Sequence, residues 1–377
     1  MRILFICGSL EPGRDGVGDY TQRLAAQLTL AGHQIGLIAL SDNYQLLPLR
    51  FKNSDKQIIR SMLRLPRSLS RKARLALAKE FIDDFNPNYL SLQFVPFSFD
   101  SKGLPFALPH FLKLVGGKRK WHIMFHELWL GMEIGASLKY KVWGYVQKLI
   151  IKDLVIKLKP VIIHTQTLIY IEQLLNIGIA SHHLPLFGNI PNVNAEPNDS
   201  MTERIRKASY RKEVSFIIFG GIHIGGPVQE FATEVALYQA NSGIRVSLTL
   251  IGRCGAGQLA WKNAWEKEGL RVIILGEQLP GRISTELNAA TIGIVTTPYL
   301  LVGKSGSAAG MIEHGLPVLC VSKKWEVRGT NNLELPPEVE EYKKGNLEQF
   351  ISTKTRSGDR IKISQVAELL LNNLLTS

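Results

Sequence analysis

The feature that most constrains this chain is an alternation. Short runs of Ile, Leu, Val and Phe, each about one strand long, take turns with segments of helical apolar spacing, in two successive series. RILFIC (2–7) leads through a glycine-rich loop into a helical pattern carrying Leu24 and Leu28, then to IGLIAL (35–40). Strand, loop, helix and strand in that order form a βαβ unit, which requires a parallel sheet. YLSLQF (89–94), WHIMFH (121–126) and VIIHT (161–165) continue the first series. LPLFGNIPNV (184–193) carries two prolines and a glycine, and polar residues run on to Met201, which marks a linker. SFIIFGG (215–221), VSLTLIG (246–252), VIILG (272–276), GIVTTP (293–298) and PVLCVS (317–322) form the second series, with helices predicted near 228–241, 259–268 and 283–289. The expectation is an α/β chain of two Rossmann-like domains facing across a cleft. The C-terminal segment 361–375 predicts an amphipathic helix with Val366, Leu369, Leu370 and Leu374 on one face.

Composition narrows the class. A chain of 377 residues, 45% hydrophobic and 20% charged, is long enough for two cores and has no low-complexity tract. The apolar opening is too short for a secretory signal, and no run of about 18 apolar residues predicts a spanning helix. Cys7, Cys254 and Cys320 are far apart and each lies in or beside an apolar segment, which predicts reduced, buried thiols in a cytoplasmic protein. No spacing suits a metal site. The net charge of +13 is concentrated: from Arg50 to Lys79 there are ten cations and one acid, Asp55. Arg60, Arg64, Arg67, Arg71 and Arg74 fall at steps of four and three, the spacing of one helix face, with Pro66 able to split it. A second stripe, Lys141, Lys148, Lys152 and Lys159, flanks Val142, Val146, Leu149 and Ile150. Basic amphipathic helices fit an anionic membrane surface, here the inner face of a membrane. Nucleic acid is disfavoured, because neither interleaved aromatics nor a binding module is present.

Ligands of open parallel sheets bind at the carboxyl ends of the strands, so those loops hold the candidates. In the first, the backbone of Gly16, Val17 and Gly18, opening a helix at about Asp19, predicts an anion or acceptor loop, against the alternative of a tight turn. His126 ends a buried strand, placed for acid–base work or a hydrogen bond to a sugar, or else a satisfied strand-end histidine. Gly220 and Gly221 end another strand, and Arg253 stands beside glycines where a guanidinium clamps phosphate. The most specific constellation is KSGSAAGMIEHGLPVLC (304–320). Lys304 supplies a charge, Gly306 allows close approach, Ser305 and Ser307 offer hydroxyls, and a helix starts there with unpaired amides.

GRDGVGDYTQRLAAQL (13–28), FHELW (125–129), IGRCG (251–255), GIVTTPYLLVGKSGSAAG (293–310) and HGLPVL (314–319) together resemble the retaining GT-B glycosyltransferases of family 4, over most of the chain. The resemblance implies a GT-B fold. Residues 1–190 with a C-terminal helix over 358–377 would take a glycan or lipid-linked acceptor, and residues 200–350 a UDP- or GDP-sugar. It implies a hexosyltransferase-like reaction with retention and no metal, in polysaccharide assembly. His126, Arg253 and Lys304 would be the catalytic groups; Gly220, Gly221, Ser305, Gly306, Ser307 and Glu313 would join those two cations in holding the donor. Aligned without gaps on Gly315-Leu316-Pro317, the family's paired glutamates fall on Val302 and Gly310, and Glu313 lies one turn beyond on the same face. A non-catalytic relative that binds a glycan or protein partner is the alternative. A nicotinamide oxidoreductase is disfavoured by the absence of the required glycine spacing.

Overall fold

The computed structural model describes residues 1–52, 61–192, 213–327, 337–353 and 362–376. The apolar runs become strands because they are buried on both faces: Ile3, Leu4, Phe5 and Ile6 are wholly inaccessible, as a parallel strand between helix layers requires. The chain divides into two units, one of Met1–Pro185 with the C-terminal helix and one of Leu186–Glu326 with Asn332–Lys362.

In the first unit the order is β1 (Arg2–Cys7), α1 (Gly16–Leu30), β2 (Gln34–Asp42), β3 (Leu49–Lys52), β4 (Ser61–Pro66), α2 (Arg71–Phe85), β5 (Tyr89–Phe94) and α3 (Pro96–Phe99). There follow α4 (Leu108–Gly116), β6 (Lys120–Phe125), α5 (Leu138–Leu158), β7 (Ile162–Thr165), α6 (Leu168–Leu175) and β8 (His182–His183). The sheet runs β3-β4-β2-β1-β5-β6-β7-β8, parallel except where β3 meets β4. The order reverses between β1 and β5, and loops at that point diverge to leave room for a ligand.

The second unit holds β9 (Glu213–Phe219), α7 (Val228–Ser242), β10 (Arg245–Ile251), α8 (Gln258–Lys267), β11 (Arg271–Gly276), α9 (Pro280–Ala289) and β12 (Ile292–Val295). α10 (Gly306–Glu313), β13 (Val318–Cys320), β14 (Val339–Glu341) and α11 (Leu347–Thr353) complete it. Its sheet is parallel throughout, in the order β11-β10-β9-β12-β13-β14. Renumbered within the unit, this is the 3-2-1-4-5-6 Rossmann order, with the switch point between β9 and β12. Phe216, Phe231, Trp261 and Trp265 fill one side of this sheet with edge-on and tilted ring contacts. The last helix, α12 (Ile363–Leu375), packs in the first unit, where Tyr89 Oη donates to Leu374 O at 2.6 Å. Its buried face is Val366, Ala367, Leu370 and Leu374; Leu369, assigned to that face by its spacing, is 38% exposed.

The arginine stripe is corrected. Arg60 lies outside the described residues, and the other four do not share a helix face, because residues 61–66 are a strand. Arg64 is buried in β4, its Nε donating to Asp42 Oδ2 at 2.8 Å and its Nη2 to Glu11 Oε2 at 2.5 Å. Burial alone would raise the Asp42 pKa, but hydrogen bonds from Arg64 and from the Tyr44 and Leu10 amides outweigh it and hold the carboxylate below its ordinary range. Arg74 turns inward to the carbonyls of Pro66, Arg67 and Leu69.

α5 shows how tightly one residue can be fixed. A Cβ added at Gly144 would run into the carbonyl oxygen of Leu130 and approach the Trp129 ring. Alanine normally favours a helix over glycine by about 1 kcal/mol. Here the backbone oxygen cannot yield as a side-chain tip would. Gly144→Ala is expected to destabilise the protein by about 2 kcal/mol, read as a lowered midpoint in denaturant.

Candidate functional site

Two sets of strand-end loops carry the candidate residues, one in each unit. In the first unit the loop after β1 closes on itself. Asp15 caps α1, its Oδ1 accepting from the Val17 and Gly18 amides at 2.9 Å each, and Asp19 Oδ1 accepts from the Gly13 amide. The anion loop expected at Gly16, Val17, Gly18 and Asp19 is therefore corrected: the amides of Val17 and Gly18 already hold a carboxylate. Burial raises the Asp15 pKa, and neighbouring Asp42 and Glu127 raise it further against those two hydrogen bonds. A second anion would meet three acids there.

His126 follows β6, its backbone N donating to Phe94 O at 3.1 Å, and its ring is buried edge-on to Tyr20. Nε2 lies 2.8 Å from Gln93 Oε1, an oxygen that only accepts, so Nε2 carries a proton. Gln93 Nε2 donates to Ser91 Oγ at 2.8 Å, and Ser91 Oγ lies 2.8 Å from His122 Nδ1. His122 Nε2 is 3.0 Å from His164 Nδ1, and Asn373 Nδ2 donates to His164 Nε2 at 2.9 Å. A neutral His164 that accepts at Nε2 must donate from Nδ1, so His122 accepts at Nε2 and donates to Ser91. Donation thus runs inward from both ends and converges on Ser91 Oγ, which accepts from Gln93 and from His122, and each neutral inner histidine uses one ring nitrogen as donor and the other as acceptor. Burial, with each ring beside another imidazole, pulls His164 down to about 4 and His122 well below its ordinary value.

In the second unit the residues gather at the switch point. Gly220, φ +81°, ends β9, and a Cβ there would come within 2.8 Å of Ser307 Oγ. Gly220 and the start of α10 are therefore packed as closely as a glycine permits. Ser305 caps α10: its Oγ accepts from Ala308 N at 3.3 Å, its carbonyl from Ala309 N at 3.0 Å, and Thr297 Oγ1 donates to its Oγ. Gly306 and Ser307 supply the remaining N-terminal amides. Lys304 ends the helical turn Tyr299–Lys304 just before the cap.

Two further groups, His223 and Lys323, join Lys304. His223, in the loop after Gly220 and Gly221, donates its backbone N–H to Thr296 Oγ1 at 2.8 Å. Its imidazole pKa is lowered by burial first, then by the charges of Lys304 and of Lys323, which follows β13. Both lysines therefore stand near one ring at the carboxyl ends of β9, β12 and β13. His223 and Lys323 are the residues that sequence reasoning missed. The strand-end rule, applied after PVLCVS as it was after the other runs, would have found Lys323.

Arg253 and Glu313 have other engagements. Arg253 Nε faces Glu277 Oε2 at 3.1 Å, both side chains being about half exposed. Glu313 Oε1 accepts from the Gly188 amide at 2.9 Å and so fastens residue 188 against α10; a Cβ at Gly188 would press to 2.7 Å on Gly310 Cα. Val302 and Gly310, at the places of the paired glutamates, are both buried; Val302 lies among core residues and Gly310 lies against the Phe219 ring. His314 is also structural: its Nδ1 donates to Gly310 O and its Nε2 accepts from Ser284 Oγ.

No family model matches the chain, and no curated protein matches its sequence. Solved structures match over almost its whole length. Anabaena Alr3699/HepE in complex with UDP aligns at 14% identity and TM-score 0.52, covering 98% of this chain and 94% of that one. The S. aureus MnaA–UDP co-structure aligns at 10% identity and TM-score 0.51, covering 100% and 96%. An alpha,alpha-trehalose 6-phosphate synthase from Burkholderia multivorans aligns at 10% and 0.50, covering 99% and 88%. At these identities the likeness shows the fold: an α/β chain with the paired Rossmann-like domains of the GT-B class.

Proposed function

We propose that this chain is a retaining glycosyltransferase that moves a hexose from a UDP- or GDP-sugar to a glycan or lipid-linked acceptor in polysaccharide assembly. The observation that carries the reading is the meeting of Lys304, Lys323, His223, Gly220 and the capped start of α10 at one switch point. Cations, close-packed glycine and helix-start amides are the means by which proteins hold a diphosphate. Two of the solved structures that share the fold contain UDP.

In such a transfer the bond between the sugar's anomeric carbon and the diphosphate oxygen breaks as the acceptor oxygen bonds to the same face. The acceptor proton passes to the departing phosphate, so no carboxylate nucleophile is required. Negative charge grows on the leaving diphosphate, where Lys304, Lys323 and the amides of Gly306 and Ser307 act most strongly. Arg253 contributes once its pairing with Glu277 is exchanged for phosphate. His126, with a proton held on Nε2 by Gln93, offers a hydrogen bond or a base to a sugar hydroxyl.

A second reading is a non-catalytic relative that binds a glycan or protein partner. It is favoured by Val302 and Gly310, which leave the paired-glutamate positions apolar and packed. Calorimetric titration with UDP, GDP and ADP separates the two. The transferase reading expects one diphosphate to bind and to bring a proton with it near pH 6. The anion offsets the lysine charges that lower His223, so its pKa rises and affinity increases as pH falls. Proton uptake is measured by repeating the titration in buffers of different ionisation enthalpy. If no nucleotide binds, the scaffold reading stands instead.

A further inference from the structure

α5 has two apolar faces, and only one of them is used. Gly144, Gln147, Ile150, Ile151, Leu154 and Leu158 point into the first unit. On the opposite side Leu138, Val142, Tyr145, Leu149 and Ile156 stand 49% to 77% exposed. Their spacings of four, three, four and seven return to one line along the helix. The line runs about 27 Å at 1.5 Å per residue, a length of exposed apolar side chains that water disfavours.

The charges on one flank of this line are all positive. Lys141 and Lys152 are exposed along one flank with Lys148, whose ammonium lies over the Trp129 ring, between them. Lys139 is exposed on the other flank. The one acid of the helix, Asp153, is paired with Lys157 on the next turn. Tyr140 and Tyr145, both more than half exposed, are rings with an apolar body and a polar tip, suited to a boundary between water and hydrocarbon.

We propose that the outer face of α5 is a docking surface for an anionic lipid bilayer, with Leu138, Val142, Tyr145, Leu149 and Ile156 entering the acyl boundary while Lys141, Lys148 and Lys152 meet the headgroups. A second copy packed antiparallel on this face fits poorly, because it would set the lysine rows against each other. Among the described residues no helix is long and apolar enough to cross a membrane, so α5 lies along the surface. The buried opposite face holds it to the unit and fixes its depth. The proposal does not depend on the transferase reading, since binding to lipid is read without sugar chemistry.

The test is co-sedimentation of the full chain with vesicles of phosphatidylcholine containing roughly 30% phosphatidylglycerol, against vesicles of phosphatidylcholine alone. Binding is expected to the anionic vesicles only, and to weaken in high salt. Val142→Asp/Leu149→Asp and, separately, Lys141→Glu/Lys152→Glu should each lower it by about tenfold or more. Arg71→Glu/Lys72→Glu, exposed at the start of α2, should leave it unchanged. All these positions are exposed, and unchanged melting temperatures confirm that the variants fold. The proposal is overturned if anionic vesicles do not bind, if neutral vesicles bind equally, or if the α5 variants bind as well as the parent. It is also overturned if the apolar-to-Asp pair converts a dimer to a monomer in sedimentation velocity without any vesicle binding, which would give the face to a second copy.

Discussion

Lowering the pH from 6.5 to 4 is expected to cost the first unit about 3 kcal/mol through His164 alone. Its folded-state pKa is pulled down to about 4 by burial and by His182 and His183, while an unfolded histidine titrates near 6.5 and each unit of difference is worth about 1.4 kcal/mol. Across that window the unfolded chain binds a proton that the folded chain refuses, so stability falls as pH falls and is fully present above the unfolded value. His122, lowered well below its ordinary value, adds a second proton of the same sign. Asp15 opposes them as the pH falls towards the carboxylate range, because its raised pKa makes the folded state the better proton acceptor. Native-state hydrogen exchange at the amides of β5, β6 and β7, corrected for intrinsic rates, reads the loss in this unit. His164→Asn should reduce the pH slope by roughly 1 kcal/mol per unit, whatever it does to stability at neutral pH. An unchanged slope in the variant would show that His164 carries no such linkage.

Those histidines show what the sequence could and could not disclose. The central strands were legible because parallel strands between helix layers read as continuous apolar runs, and each such run holds a strand within three residues of its expected bounds; β3, β4, β8 and β14, at the sheet edges or beside them, were not expected. The helix at 306–313 was legible for a local reason as well: Ser305 caps it and Gly315, φ +79°, follows its end. The arginine periodicity misled because steps of four and three describe a helix only if the backbone is one. Arg64 instead belongs to a strand whose register places it beside Asp42, 22 positions earlier, and no local pattern reports that partner. The His126–Gln93–Ser91–His122–His164–Asn373 chain is invisible for the same reason, being assembled from three neighbouring strands and the last helix. α5 was half legible: its lysines and apolar residues were counted, but two opposed apolar faces cannot be sorted into buried and exposed without the sheet they pack on. Lys323 and His223 were passed over because neither sits in a glycine–serine pattern; their approach to Lys304 follows from the strand order.

Replacing both Lys304 and Lys323 by alanine is expected to weaken nucleoside diphosphate binding by two to three orders of magnitude, roughly 3–4 kcal/mol in total. A single charge pair 4 Å apart is worth about 4 kcal/mol at the effective dielectric of a protein surface, and desolvation offsets part of it. A net of about 2 kcal/mol for each lysine, the ordinary worth of a hydrogen bond to a charged group, therefore sets the scale. Arg253→Ala should also weaken binding, by less than a bare charge would give, because phosphate must first displace Glu277 from the guanidinium. Glu277→Gln removes that competitor and is expected to tighten binding about twofold to threefold, a partly exposed pair being worth well under 1 kcal/mol. The lysine variants carry a further signature. With both cations gone, His223 is lowered by burial alone, so its pKa in the free protein rises and the proton taken up on binding diminishes. A loss of affinity with the proton uptake intact would separate the lysines from the histidine and move the diphosphate away from the β9–β12 switch point. Equal affinity in the double variant would remove the two lysines from the site, leaving Arg253 and the helix-start amides of Gly306 and Ser307 to hold the leaving group.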